Sequence, residues 1–345
     1  MTEISHSWQQ QPGLEPSTAG DAVRASSGWS ILRIVLRRLC IGLITLWAVS
    51  VLIFASTEIL PGDVTGAILG RNRSPQAELA LRTTLGLDRP APVRYFDWLS
   101  KFVQGDIGRS LMTKRDLAPE IWQRLRNTLF LAAVAGCVSV PLSILFGILA
   151  AVWQNGTFDR TINTVTLLTI SLPEFFVGYV LIILFSVKLG WFPSLSMVND
   201  DMSIGERLYA VALPVATLVL VVLAHMMRLT RAAVINVLSR PFIEMAVLKG
   251  IPRWRIVLEH AFPNALAPII SVVALDLAYL LVGVVVVEVV FVYPGMGQLM
   301  VDAVASRDVP VVQTCGLIFA SFYVGLNMFA DMLGILSNPR LRHPR

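Results

Sequence analysis

Six apolar runs constrain this chain more than anything else in it. Each is long enough to cross a hydrocarbon core, which takes about 20 helical residues. They cover roughly residues 39–57, 127–153, 162–187, 209–227, 265–290 and 309–336. In lipid every backbone polar group needs an internal partner, so these runs are expected to be helices. Composition agrees. Of 345 residues, 55% are hydrophobic and 15% charged, and the mean hydropathy is +0.68. A soluble domain carries about 25% charged residues. Polar surface is too scarce here to cover a water-soluble globule, which excludes a soluble enzyme, a disordered protein and a disulfide scaffold. The expected class is an all-α membrane protein with six transmembrane helices.

The 28 Lys+Arg exceed the 23 Asp+Glu, for a net charge of +5. Basic residues that flank spans on the cytoplasmic side explain this excess without a nucleic-acid partner. With a cytoplasmic N-terminus, the inside segments hold Arg33, Arg37 and Arg38, then Arg160, then Arg228 to Arg255, then Arg340 to Arg345. The two short outside loops hold Lys188, Arg207 and Arg307. Both termini are therefore expected inside. Residues 1–30, rich in Gln, Ser, Gly and Pro, read as a disordered cytoplasmic tail, and residues 31–345 as the membrane domain. Cys40, Cys137 and Cys315 all lie within apolar runs and show no metal-ligand spacing, so no metal site is expected.

Two segments depart from a plain six-helix bundle. Residues 58–126 form a long outer loop, in which PQAELALRTTLGL and VRYFDWLSKFV read as helical pieces of a cap. Residues 228–264 form an inner segment with its own start and stop signals. There the fourth helix runs on into water, Ser239 suits an N-cap and Pro241 a first helical turn. A short helix follows over 242–249. Gly250 suits a left-handed stop and Pro252 bars continuation. A second helix is expected over 253–262, ending at Pro263-Asn264. On the short helix, Phe242, Met245, Ala246 and Lys249 share one face, with Ala246 as a low spot open to another protein. This is either an amphipathic helix lying on the bilayer or a docking element for a soluble partner.

Glu244-Met245-Ala246, three residues, Gly250, nine residues, then His260-Ala261-Phe262-Pro263 resembles the EAA loop of binding-protein-dependent ABC importer permeases. That loop reads E-A-A, three residues, G, nine residues, I-x-L-P. Glu244, Ala246, Gly250 and Pro263 match. Met245, His260 and Phe262 depart from it. Three further stretches resemble the B-type permease chain of dipeptide, oligopeptide and nickel importers. They are Leu60-Pro61-Gly62-Asp63, Gly105-Asp106-Ile107-Gly108-Arg109-Ser110, and Glu288 through Tyr293-Pro294-Gly295-Met296-Gly297. The ending Asn338-Pro339-Arg340-Leu341-Arg342 is similar to that family's D-P-R-x-R. The likeness spans essentially everything after residue 30.

The resemblance implies a type I ABC importer permease fold in a bacterial inner membrane. It implies a homologous second permease, two ATP-binding subunits and an extracytoplasmic solute-binding protein as partners. ATP and Mg would be used by those ATPases, with no cofactor on this chain. In keeping with that, the sequence has no G-x-x-x-x-G-K-[ST] phosphate loop. By family analogy the short inner helix couples ATP-driven closure to the spans, with Gly250 fixing its turn. Glu244 would set it against its own domain or the ATPase. Gly62, Asp63, Gly105, Asp106, Glu288, Pro294 and Gly295 would shape the outer side that meets the binding protein. The solute would be a peptide, nickel, glutathione, or an opine- or sugar-like molecule.

Charged residues inside spans mark pathways or tight pairs, since a charge at mid-membrane costs roughly 2.5–3.5 kcal/mol on insertion scales. Asp276 and Glu174 are the candidates for the translocation path. Asp276 either meets the ammonium end of a substrate or makes a hydrogen bond between helices. Pro173, Gly178 and Gly283 read as kinks or close helix contacts. The alternative to an importer subunit is a stand-alone secondary transporter or channel, which would show inverted repeats and paired broken helices. No such repeat is visible.

Overall fold

The computed structural model describes residues 19–59, 69, 74–84, 86 and 88–337. Gly62, Asp63, the tail up to residue 18 and the 338–342 ending lie outside them. The described residues form helices joined by turns, with one isolated bridge between Arg109 and Asp116.

The first helix, α1 (Ala19–Ile59), begins well before its apolar run. The tail expected to stay disordered through residue 30 is therefore helical from Ala19. Once the apolar span has nucleated the helix, each added residue gains a hydrogen bond, and the helix propagates into the stretch before it. Two short helices follow, α2 (Pro75–Thr84) and α3 (Ala91–Val103), where the helical pieces of the long loop were read. Tyr95 on α3 is buried against α1, its hydroxyl 2.8 Å from Ser50 Oγ and its ring edge-on to Phe54.

The second span, α4 (Leu117–Val152), starts ten residues earlier than its apolar run. Leu117, Ile121 and Leu125 are buried on a helix–helix contact, so this end is core rather than loop. The third run is not one helix. It splits into α5 (Thr157–Ser171) and α6 (Glu174–Leu181, continued by a π-helical Ile182–Lys188), bent by 106°. Pro173 causes the break, because it holds Leu172 extended and offers no N–H to the ladder. Among the described residues five helices are thus long and apolar enough to span a membrane, and the bent pair makes six if taken as one span.

After α7 (Ile204–Ala210) comes α8 (Ala212–Leu238), a little longer than its apolar run at the far end. Ser203 and Glu206 form a reciprocal cap on α7, and these hydrogen bonds hold the Glu206 carboxyl below its usual range. The short helix α9 (Pro241–Leu248) has Arg240 as its N-cap residue. Ser239 instead ends α8, its hydroxyl donating to Asn236 O at 3.0 Å, so the expected cap is corrected.

The second inner helix does not stop at Pro263. It continues as one long helix, α10 (Arg253–Val290), with a π-helical Ile256–Ala261 just before the proline. The wider π turn gives Pro263 a place where its missing N–H breaks no regular ladder. The Asn264 side chain covers the His260 carbonyl at 2.7 Å. The chain ends in α11 (Met296–Ser306) and the last span α12 (Val309–Ser337).

Apart from the cluster of Leu117, Ile121 and Leu125 with α11 and α12, the core lies in two layers along α4, α8 and α10. One, around Leu218, Met226, Leu280 and Phe291, sits toward the α11 end. The other, around Val234, Ile243, Val257 and Ile269, sits toward the α9 end. Close approach comes from small residues. A Cβ on Gly147 of α4 would lie 2.8 Å from Thr230 of α8, and one on Gly178 of α6 would lie 3.2 Å from Val290 of α10.

Candidate functional site

Three places gather the residues singled out above. The first is α9. Gly250 sits just past its end at φ +73°, the left-handed stop its type predicts, and Pro252 follows. The face is not arranged as expected. Ala246 is 9% exposed and Ile243 4%, both packed into the inner core layer, so Ala246 is no open low spot. The open side carries Phe242, Met245, Val247 and Leu248, the last 81% exposed, with Glu244 and Lys249 exposed beside them. A period of 3.6 puts 243 and 246 on the face opposite 244 and 248, and Ile243 outcompetes Phe242 for the core. Pro263 lies ten residues after Arg253 in the first turn of the α-helical part of α10, exposed between the buried Ala261 and Ala265.

The second place is at the opposite end, around Glu288. Its side chain is fully buried and accepts hydrogen bonds from Thr128 Oγ1 at 2.6 Å, Gly297 N at 2.7 Å and Gln298 N at 3.1 Å. The last two are free N–H groups at the start of α11, so a carboxylate caps a helix N-terminus from inside the protein. Thr128 also accepts from Met296 N at 2.8 Å. Asn127 Nδ2 donates to Pro294 O at 2.9 Å, and Tyr293 Oη donates to Asn127 O at 2.8 Å. Burial pushes the Tyr293 hydroxyl above its ordinary range, which keeps it a donor. The turn into this knot passes through Val292 at φ +50°, strained for a β-branched residue. A Cβ on Gly295 would fall 2.0 Å from Glu288 Oε1. The nearby loop holds Gly105 and Gly108 at φ +86° and +80°, with Asp106 Oδ1 accepting from Gly108 N at 3.0 Å. Ser110 Oγ and Leu111 N both donate to Asp308, which ties this loop to the start of α12.

The third place is mid-bundle. Asp276 on α10 is 4% exposed, its Oδ1 2.8 Å from His225 Nδ1 on α8, and its Oδ2 has no hydrogen-bond partner among the described residues. Glu174 heads α6 directly after the break and lies against Gly283, where a Cβ would be 2.8 Å from Glu174 Oε1. Asp276 and Gly283 are seven residues apart and share one face of α10. The two candidate carboxylates thus follow one face of that helix without touching. Asp331 lies apart from both, paired with Arg38 at 2.7 Å.

With this geometry in view, the comparisons are decisive. Residues 143–343 match the model for the binding-protein-dependent transport system inner membrane component, and residues 31–132 match its N-terminal companion. The chain belongs to this family of permeases. It is 38% identical over 314 residues to the glutathione transport system permease protein GsiC of Escherichia coli K12, covering 91% of this chain and 100% of that one. The GsiC of Shigella flexneri shows the same identity and coverage. A Brucella abortus protein, whose name provisionally assigns it to a peptide transport system, is 34% identical over 310 residues, 90% of this chain and 99% of its own. The chain is therefore a permease subunit of an ABC importer of the peptide family, a multi-pass inner-membrane protein and not an enzyme.

Several residues of this permease escaped sequence reasoning. Only the fold brings Thr128 to Glu288 and Asn127 to Tyr293 and Pro294 beside it. His225, which no motif marks, is the partner of Asp276. Arg231 looked like one more inside arginine. It makes two bonds of 2.7 Å to Asp159, whose side chain is 4% exposed and also accepts from Asn155 N and Asn163 Nδ2. Bidentate spacing of this kind leaves no trace in sequence at a separation of 72 residues. Because removing one partner strands a buried charge, Arg231→Met is expected to cost the permease about 3–5 kcal/mol. Adding Asp159→Leu to it recovers most of that. Thermal midpoints of the purified variants check both, and additive losses in the double variant would contradict the pairing.

Proposed function

We propose that this permease forms one half of the translocation path of an ATP-driven importer of small peptides. The other half is a homologous second permease. Two ATP-binding subunits dock on α9 and use ATP and Mg, and an extracytoplasmic binding protein delivers the solute to the Glu288 end. Both chain termini then lie in the cytoplasm.

The observation that carries this reading is the build of α9. Ile243 and Ala246 anchor it to the inner core layer while Phe242, Met245, Val247 and Leu248 stay exposed. A helix held by one apolar face and showing another fits a groove on a partner. Phe242, Glu244, Met245, Ala246, Lys249, Gly250 and Pro263 make up this coupling element. The Gly105, Asp106 and Glu288–Gly295 knot shapes the outer side, and Asp276 with Glu174 belongs to the path. The names of the Escherichia coli and Brucella abortus relatives, glutathione and peptide, support a small peptide as cargo.

The test is purification of the tagged permease from its native membrane in mild detergent. The expected outcome is co-purification of ATP-binding subunits and a second permease. Met245→Glu, which places a charge on the open face, is expected to lower recovery of the ATP-binding subunits at least tenfold while the second permease stays. Recovery of the chain alone, with ATP-independent solute movement in vesicles, overturns the reading in favour of a stand-alone transporter.

A further inference from the structure

The two halves of α8 differ in what they show to the surroundings. From Leu213 to Ala224 nearly every residue is covered by the core, with only Leu220 open. From His225 on, a strip opens along the helix: His225, Arg228, Leu229, Ala232 and Asn236 are exposed. The helix is about 40 Å long, so His225 stands near its middle and the strip runs from there to the α9 end. An arginine and a histidine on a span do not face lipid at low cost, and line water or a partner group instead.

Asp276 fixes what His225 presents. The 2.8 Å contact holds the imidazole by its Nδ1, and a carboxylate accepting there leaves Nε2 as the ring's free acceptor. Its Nε2 is then left toward the open side, where the side chain is 59% exposed. Asp276, 6% exposed at its side chain, cannot itself be reached from that side. Arg228 follows one turn on, on the same face, and takes part in none of the described ion pairs. One acceptor and one guanidinium a helical turn apart match the end of a peptide. Its last amide N–H meets an acceptor, and its terminal carboxylate meets a fork of donors.

We propose that His225 and Arg228 form a station on the translocation path that holds the C-terminal end of a peptide, with the carboxylate on Arg228, the last amide N–H on His225, and Asp276 positioning the imidazole. This rests on the peptide-importer reading and names the chemistry its path selects.

The experiment uses the complete importer in proteoliposomes with ATP inside. Two forms of one peptide are compared, with a free and an amidated C-terminus, chosen so that the binding protein holds both equally. Wild type is expected to carry the free acid faster. Arg228→Gln is expected to lower uptake of the free acid about tenfold, the loss of one charge-assisted contact, and to leave the amide unchanged. Arg228→Lys restores part of the difference. Asp276→Asn lowers uptake of both forms and leaves the free-to-amide ratio above one, since Arg228 is intact. Equal loss of both peptides in Arg228→Gln, or no loss of either, overturns the station while the importer reading stands. If wild type moves neither peptide under ATP, the peptide reading itself fails and takes the station with it. Arg228 is exposed and in no ion pair among the described residues, so an unchanged thermal midpoint in the glutamine variant confirms that uptake reports the site and not the fold.

Discussion

Gly295→Ala is expected to remove about 3–5 kcal/mol of the permease's stability, the joint cost of overpacking a core and losing hydrogen bonds to a charged group. The position tolerates alanine as far as the backbone is concerned, since Gly295 sits at φ −101° and ψ −179°, ordinary extended geometry. The difficulty is space. The added methyl would lie 2.0, 2.1 and 2.4 Å from the Oε1, Cδ and Oε2 atoms of Glu288. That carboxylate has nowhere to go, because Thr128, Gly297 N and Gln298 N hold it from three sides and its residue is fully buried. Moving it strands a charge and frees the first N–H groups of α11 together. A thermal-unfolding midpoint measured by size-exclusion after heating reads the effect. Gly205→Ala serves as the control, since a Cβ there meets nothing within 4 Å. A Gly295→Ala midpoint equal to that of the control would show that the knot is looser than its contacts say.

Gly250→Val is expected to leave the permease folded and inserted while transport per ATP hydrolysed falls at least tenfold. No clash is involved, because a Cβ at Gly250 also meets nothing within 4 Å. The cost is conformational. At φ +73° a residue with a Cβ is strained by about 1–2 kcal/mol, and β-branching makes it worse. The turn relaxes toward negative φ, which swings α9 against the start of α10 and moves the exposed Phe242–Leu248 face. Folding, carried mainly by the buried layers of α4, α8 and α10, is little affected. Reconstituted importer reads the ratio of peptide moved to phosphate released. Wild-type coupling in this variant would remove Gly250 from the coupling element. Gly250→Asn, a residue that tolerates the left-handed region, is expected to retain most of the coupling.

These two glycines show how differently the same residue type can be read. Gly250 was legible in sequence, because a stop after a short helix, followed by Pro252, is a local signal. Gly295 was legible only as part of a resemblance. The reason it must be glycine is a side chain seven residues upstream folded back across a strained Val292. The same split runs through the spans. Hydropathy located all six apolar runs, since the bilayer demands length and apolarity of each helix separately. It could not show that Pro173 turns the third run through 106°, or that α10 passes Pro263 unbroken, because both depend on how neighbouring backbone groups are satisfied.

The sequence by itself determined that this is an all-α membrane protein, which permease family it belongs with, and where the loop between α8 and α10 lies. The class follows from composition and run length, which are additive along the chain, and the family from the resemblance of short motifs that are local in sequence. Only the tertiary structure decided that Ile243 and Ala246 face inward, that Glu288 caps α11 from the core, that Arg231 is spoken for by Asp159, and that Asp276 answers to His225. In each of these a buried polar or apolar group must find a partner in another element, as far as 72 residues away for Asp159 and Arg231, and such partners are set by packing and not by local pattern.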